Sequence, residues 1–432
     1  MDLQRVAGQR PTWIEVDLDR IGANVAALRR ALSSARGGAS AATASGTATS
    51  TSTGAVSVAA QATPTAAGGA GSGSGSVTPQ LMAIVKADAY GHGAVEVART
   101  VLEHGASWLG VAIPAEGVAL RQAGISAPIL VLGACWPEEA QTYITSDLRA
   151  TVTDLSEAQA LSEAAVRLGP QARARVHIKV DTGMGRIGVS PQRAVAFAQE
   201  VARLPQVEIE GVFSHLATAD EGDTTGTHQQ IERFARVCTG LKQAGLTGLI
   251  RHLANTAALL RFPEAAFDMV RAGIGIYGYY PSPTMERTVP LRPALRWLAR
   301  VVFVKRVGPG TPISYGWTYV TRKATTIATI PVGYADGYRR ELSNRGQVIC
   351  QRRRCSVVGR VCMDQLMVDV GDLPVAIGDP VILLGDGLDA DRWAEWLRTI
   401  PYEVLTGISP RVPRVYVHGA AAASPHPTSS HF

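Results

Sequence analysis

The stretch Met82–Gly93, MAIVKADAYGHG, decides how the rest of the chain is read. Leu81–Val85 is a short, almost unbroken apolar run, the pattern of a strand covered on both faces. Lys86 ends that run, where an ammonium is expensive to desolvate. Desolvation lowers a lysine's pKa, and a neutral amine is a nucleophile that forms a Schiff base with an aldehyde. Four residues on, Tyr90 offers a hydroxyl, and Gly91-His92-Gly93 lets backbone approach a ligand closely before the next helix. Taken alone, an apolar run ending in lysine more often marks a side chain that snorkels to solvent. The neighbouring segments decide between the two readings.

From Leu81 onward, strand and helix patterns alternate. Strands are expected at Leu81–Lys86, Trp108–Ala112, Ile129–Gly133, Ala150–Thr153, Val176–Asp181, Gly211–His215, Ile250–Asn255 and Met269–Gly273. Helical spacing fills the gaps, as in Ala94–His104, Ser156–Leu168 and Thr227–Ala244. The α/β pattern predicts a (β/α)8 TIM-type barrel over 81–289, whose chemistry gathers at the C-terminal ends of its strands. Lys86, Asp181, His215, Asn255 and Arg271 all fall at or just past such ends.

After about Pro290 the pattern turns to strands with Gly and Pro turns, predicting a mostly β C-terminal domain over 290–418. Leu298–Val307 reads as one strand there, and Asp391–Arg398 as a helix. Residues 1–32 read as a strand (Trp13–Leu18) and a helix (Ile21–Leu32). Ser33–Gln80 is almost wholly Ala, Gly, Ser and Thr, too poor in apolar surface to offset ordering entropy, and is expected to be a disordered insertion. Residues 419–432 read as a loose tail.

Composition excludes several classes. No apolar run approaches the roughly 20 residues of a membrane span, and MDLQRVAGQRPTW lacks an apolar leader core, so a cytoplasmic protein is expected. The five cysteines (135, 238, 350, 355 and 362) contain no CxxC pair and read as reduced thiols, with no metal site. The net charge of +6 is dispersed; its one cluster, Arg352-Arg353-Arg354, reads as a solvated hairpin, so no nucleic-acid partner is expected.

The lysine string resembles the cofactor-lysine segment of the alanine racemase family, usually VVKANAYGHG, and further motifs follow in family order from about Trp13 to His418. The resemblance implies pyridoxal 5'-phosphate as cofactor, held by Lys86, Tyr90, His215, Asn255, Thr256, Arg271, Gly273 and Ile274. It implies that Arg271 bonds the cofactor's ring nitrogen; arginine keeps its proton near neutrality, so that nitrogen stays unprotonated. In HIKVDTGMGRIG it implies that Arg186 contacts the substrate carboxylate and that Lys179 matches a lysine often carbamylated in the family. His215 matches a residue that orients the catalytic tyrosine, and Asp220 an entrance-channel residue. Tyr315, in PISYGWTY, matches the second catalytic base beside Lys86; Tyr334, Met363 and Asp364 match residues lining the substrate site. A symmetric homodimer with shared sites is implied as well. One departure is Pro410, where some members carry a tyrosine against the cofactor phosphate.

The function expected from the resemblance is interconversion of L- and D-alanine, supplying D-alanine for peptidoglycan. A racemase of broader specificity, or one for serine or lysine, of the same fold is the alternative, because Pro410 alters the pocket. A decarboxylase of the same barrel class would usually set a carboxylate, not Arg271, against the cofactor nitrogen. A non-catalytic cofactor carrier would need the lysine barrel but no second domain carrying SYG and CMDQ.

Overall fold

The computed structural model describes residues 10–43 and 78–419. The chain opens with strand β1 (Thr12–Asp17), followed directly by a helix over Leu18–Thr43. Asp17 starts that helix by accepting the Arg20 amide at 3.0 Å. Leu18, Ile21, Val25, Leu28 and Leu32 recur at helical spacing and are buried. Apolar spacing ends at Leu32, yet the helix runs on to Thr43, so the expected disorder of 33–80 is corrected over 33–43. Extending an existing helix costs far less than nucleating one, and this stretch is rich in alanine. At its far end the expectation is corrected too, since 78–80 are described and Gln80 already begins a strand; 44–77 lies outside the described residues, as does nearly all of the expected tail.

Eight parallel strands close the barrel. They are β2 (Gln80–Ile84), β3 (Trp108–Val111), β4 (Ile129–Ala134), β5 (Leu148–Val152), β6 (Ala174–Lys179), β7 (Val207–Phe213), β8 (Ile250–His252) and β9 (Met269–Ala272). Each matches an expected strand. Their ends fall short of several expected bounds because the last residues turn out of the ladder to form the mouth. β2 closes the ring by pairing with both β3 and β9.

The second domain is built on a nine-stranded sheet in the order β11-β14-β17-β16-β15-β18-β10-β1-β19. Its strands are β10 (Leu295–Arg300), β11 (Phe303–Val307), β14 (Thr325–Ile330), β15 (Gln347–Cys350), β16 (Arg353–Val357), β17 (Leu366–Gly371), β18 (Pro380–Leu384) and β19 (Arg414–Val417). A small ribbon of β12 (Pro312–Ile313) and β13 (Tyr319–Val320) stands beside it. Two expectations are corrected. The run Leu298–Val307 is not one strand: β10 lies between β18 and β1 while β11 forms the sheet's edge, so the chain must turn at Val301-Val302. And β1 is not a separate N-terminal unit, because it pairs antiparallel with β10 and parallel with β19 inside the second domain's sheet. The helix that follows β1 packs on the barrel side, against Ile276 through Asn24 Nδ2 (3.0 Å). The first helix therefore ties the two domains together.

Candidate active site at the barrel mouth

β2 delivers Lys86 to the mouth and the chain then turns sharply. Ala87, Asp88, Ala89 and Tyr90 all have φ between 51° and 54°, one turn of left-handed helix made without glycine. Such a conformation costs roughly 1–2 kcal/mol per residue and persists only where its surroundings over-determine it. Here they do. The Ala87 amide donates to Glu116 Oε1 at 2.6 Å, Ala94 N donates to Asp88 Oδ1 at 2.7 Å, and Gly93 N donates to Asp88 O at 2.9 Å. Tyr277 donates its hydroxyl to Ile84 O at 2.8 Å and packs its ring 4.7 Å from Tyr90. Lys86 is half-buried; burial first, then the Arg186 charge, lower its pKa, with Glu116 opposing.

Tyr90 is buried, and its hydroxyl lies beside Gly273, where a Cβ would come within 2.9 Å of it. Across the same gap the Gly273 amide donates to Thr256 Oγ1 at 2.9 Å. A Cβ on Gly275 would press on Thr256 Cγ2 at 2.8 Å. These contacts bring together a tyrosine hydroxyl, a threonine hydroxyl and the backbone of Gly273-Ile274 after β8 and β9, where barrels commonly bind phosphate. Asn255 positions Thr256 by capping the helix Thr256–Arg261, accepting Ala258 N at 3.0 Å.

Arg271, on β9, is almost wholly buried. Its Nη2 donates to Ser214 O (2.7 Å) and Leu253 O (2.9 Å) and contacts His215 Nδ1 (3.1 Å); Nη1 contacts His252 Nδ1 (3.0 Å). Burial, with the Arg186 charge, pushes its pKa down to about 9, so it remains a cation at neutral pH. His215 is held neutral by burial and then by the charges of Arg271 and Lys179. Lys179 lies against the Phe213 ring, 4.6 Å from its centre, and burial, Arg271 and Arg186 push its amine well below the usual range. Asp181 organises the loop after β6 by accepting the amides of Gly183, Met184 and Gly185 at 2.9–3.1 Å, which leads the chain to the exposed Arg186.

Tyr315, Tyr334, Met363 and Asp364 form a separate group in the second domain. Tyr334 N donates to Cys362 O and Ala335 N to Met363 O, both at 3.0 Å, while Ser314 Oγ donates to Arg360 O at 2.6 Å. Tyr315 is 70% exposed, Trp317 72%, Met363 54% and Tyr334 42%, so four large apolar or aromatic side chains on these loops face solvent. The loop behind it is fixed by Asp336, buried between both Arg10 nitrogens at 2.7 Å and Arg411 at 3.5 Å. Next to Pro410, Arg411 also holds Asp364 at 2.9 Å.

Sequence reasoning missed Glu116, Tyr277, His252 and Tyr402. The helix Pro401–Thr406 was not expected at all, yet it sets the Tyr402 ring 5.8 Å from Tyr90. Among the described residues there is no cluster of acidic, histidine and cysteine side chains fit for a metal, and no helix long and apolar enough to cross a membrane.

The family models "Alanine racemase, N-terminal domain" and "Alanine racemase, C-terminal domain" match residues 74–281 and 294–416. An alanine racemase of Symbiobacterium thermophilum is 47% identical over 421 residues, 96% of this chain and 99% of that protein. The solved alanine racemase of Clostridium difficile 630 superposes with a TM-score of 0.81 at 37% identity, covering 94% of this chain and 96% of that one. The alanine racemase of Bacillus anthracis with bound L-Ala-P gives 0.80 at 35% identity, covering 94% and 95%.

Proposed function

Because this chain belongs to the alanine racemase family of isomerases, we propose that it interconverts L- and D-alanine using pyridoxal 5'-phosphate carried on Lys86, with Lys86 and Tyr315 as the two bases. The observation that carries the reading is the pairing of a desolvated, half-exposed lysine with a buried arginine in one barrel mouth.

The donor set fits the cofactor. Tyr90 Oη, Thr256 Oγ1 and the Gly273 and Ile274 amides suit its phosphate, at a place where a Cβ on Gly273 would crowd the tyrosine hydroxyl. Arg271 suits its ring nitrogen, since guanidinium can only donate. When bound, the cofactor draws electrons from the substrate's Cα and so acidifies the α-proton. Lys86, with its lowered pKa, is able to take or return that proton on one face. Tyr315 does the same on the other, and Arg186 holds the substrate carboxylate. His215 orients Tyr315 and contacts Arg271; Tyr334, Met363 and Asp364 line the substrate. At Lys179, an amine whose pKa is lowered by burial and by the charges of Arg271 and Arg186 is suited to carbamylation, which would set an anion against those two positive charges.

Tyr315 reaches Lys86 from a partner subunit in a symmetric homodimer. The exposed patch around Tyr315 and Trp317 supports this, as an apolar surface that a second copy would cover. The reaction supplies D-alanine for peptidoglycan in the cytoplasm. Chiral chromatography after incubation of the purified protein with each L-amino acid tests the reading. D-alanine is the expected main product; D-serine or D-lysine as main product would move the assignment to that substrate, and no D-product would leave a cofactor carrier.

A further inference from the structure

A line of ionisable side chains runs through the barrel from Arg271 toward its closed end, and the proposed chemistry does not use it. Arg271 Nη1 lies 3.0 Å from His252 Nδ1, and His252 Nε2 lies 2.8 Å from His177 Nδ1. His177 Nε2 lies 3.4 Å from Glu210 Oε2, and Arg149 Nε donates to that same oxygen at 3.2 Å. These residues come from five consecutive barrel strands, β5 to β9, and both histidines have no exposed surface.

The backbone is shaped to admit this line. Val176 pairs with Ile209 and His177 with Gly211, so Glu210 is skipped in the β6–β7 register. An unpaired residue of that kind re-aims its side chain. Beside it, a Cβ on Gly211 would sit 2.5 Å from His177 Nδ1, so only glycine leaves room for the ring. Phe213 stacks flat on His252, with centroids 4.7 Å apart and planes within 2°.

Hydrogen-bond chemistry then fixes every proton. Guanidinium only donates, so His252 Nδ1 must accept and the ring's single proton sits on Nε2. His177 Nδ1 accepts that proton's hydrogen bond, which puts its own proton on Nε2, facing the Glu210 carboxylate. We propose that His252, His177 and Glu210 form a one-way hydrogen-bond relay, polarised by the donor-only Arg271, that orients the guanidinium and balances its buried charge from the far end of the barrel. The relay keeps a carboxylate away from the guanidinium face turned to the mouth, and its members are positioning residues. Burial and the neighbouring Arg271 charge hold His252 neutral; burial does the same for His177, against the pull of Glu210. At Glu210 burial acts to raise the pKa, but His177 and Arg149 outweigh it, so the carboxylate stays ionised. The other charged groups nearby are Lys179, Arg186 and His215 around Arg271, and Asp147 bonded to Arg149 at 3.1 Å. The consequence for the cofactor rests on the proposed function, whereas the proton positions do not.

The test is 15N NMR of histidine-labelled protein, cofactor-loaded and ligand-free, with the signals of His177 and His252 assigned by substitution. Both rings are expected to be neutral with the proton on Nε2 near neutral pH. Glu210→Ala removes the terminal acceptor, so the His177 Nε2–H signal is expected to move toward that of an N–H without a carboxylate acceptor, while both tautomers, set by Arg271, hold. Glu210→Gln, which keeps an acceptor oxygen, is expected to restore the wild-type pattern. Either histidine protonated on Nδ1 or cationic in the wild type would overturn the relay. So would an unchanged His177 Nε2–H signal in folded Glu210→Ala; should that variant not fold, the wild-type spectrum decides alone. Failure of the alanine reading would appear separately, as absence of D-alanine with these proton positions intact.

Discussion

At Lys86 and Lys179 the same forces act; in the proposed function, exposure selects Lys86 over Lys179 as the nucleophile. Burial lowers both pKa values, Lys179 the further. Lys179 is shut in against Phe213, whereas Lys86 stands half-open at the mouth. Borohydride reduction of the cofactor-loaded protein should therefore leave the adduct on Lys86, as read by peptide mapping; an adduct on Lys179 would contradict the assignment. His92 makes a second residue-scale prediction. It is fully buried, its Nε2 has no hydrogen-bond partner among the described residues, and burial pushes its pKa down to about 4. The unfolded chain protonates it below about pH 6.5, where the native chain does not. Its contribution is thus intact above that pH and falls as pH drops toward 4, by on the order of 3 kcal/mol. Substituting His92→Gln should flatten the acid limb of the unfolding profile between those values, measured by denaturant titration. An acid limb as steep as wild type would contradict this. Lys86 was legible in the sequence because an apolar run and a short motif surround it. His252 was not, although it lies three residues before Asn255, because its partners His177 and Glu210 are distant in sequence and meet only when β6, β7 and β8 align.

At the scale of elements, the left-handed turn after β2 is the costliest local feature. Four residues at roughly 1–2 kcal/mol each would consume much of an ordinary domain's stability were the turn not tied down. Glu116 is its main external tie, accepting Ala87 N at 2.6 Å and Ala112 N at 2.7 Å. Glu116→Ala should cost about 1–3 kcal/mol, because two backbone donors lose a charged acceptor. It should also raise the mobility of Lys86, seen as faster amide exchange over 86–90. Unchanged exchange there would show that the turn holds without Glu116. Strand and helix identities were legible because each barrel strand carries a short apolar run between helical spacings. The turn was not: KADAYG contains good helix formers, and nothing local marks their backbone as left-handed. Nor was the split of Leu298–Val307, since β10 and β11 are alike in composition and are separated only by their places in the sheet.

On the scale of the whole molecule, the N-terminal strand belongs to the second domain and the following helix to the barrel, so the two domains share one chain start. That arrangement was hidden in the sequence, where residues 1–32 read as a separate unit, because sheet order depends on long-range pairing. The central claim also belongs to this scale: each site joins Lys86 of one subunit to Tyr315 of the other. Lys86→Ala and Tyr315→Phe are each expected to be nearly inactive as homodimers. A mixed dimer would hold one site with both lesions and one with neither. Co-expression with two affinity tags, followed by purification of the doubly tagged species and assay of D-alanine formation, measures the claim directly. The shared site predicts recovery of roughly half the wild-type activity per heterodimer. If both bases come from one chain, every site keeps a lesion and the purified heterodimer stays as inactive as its parents.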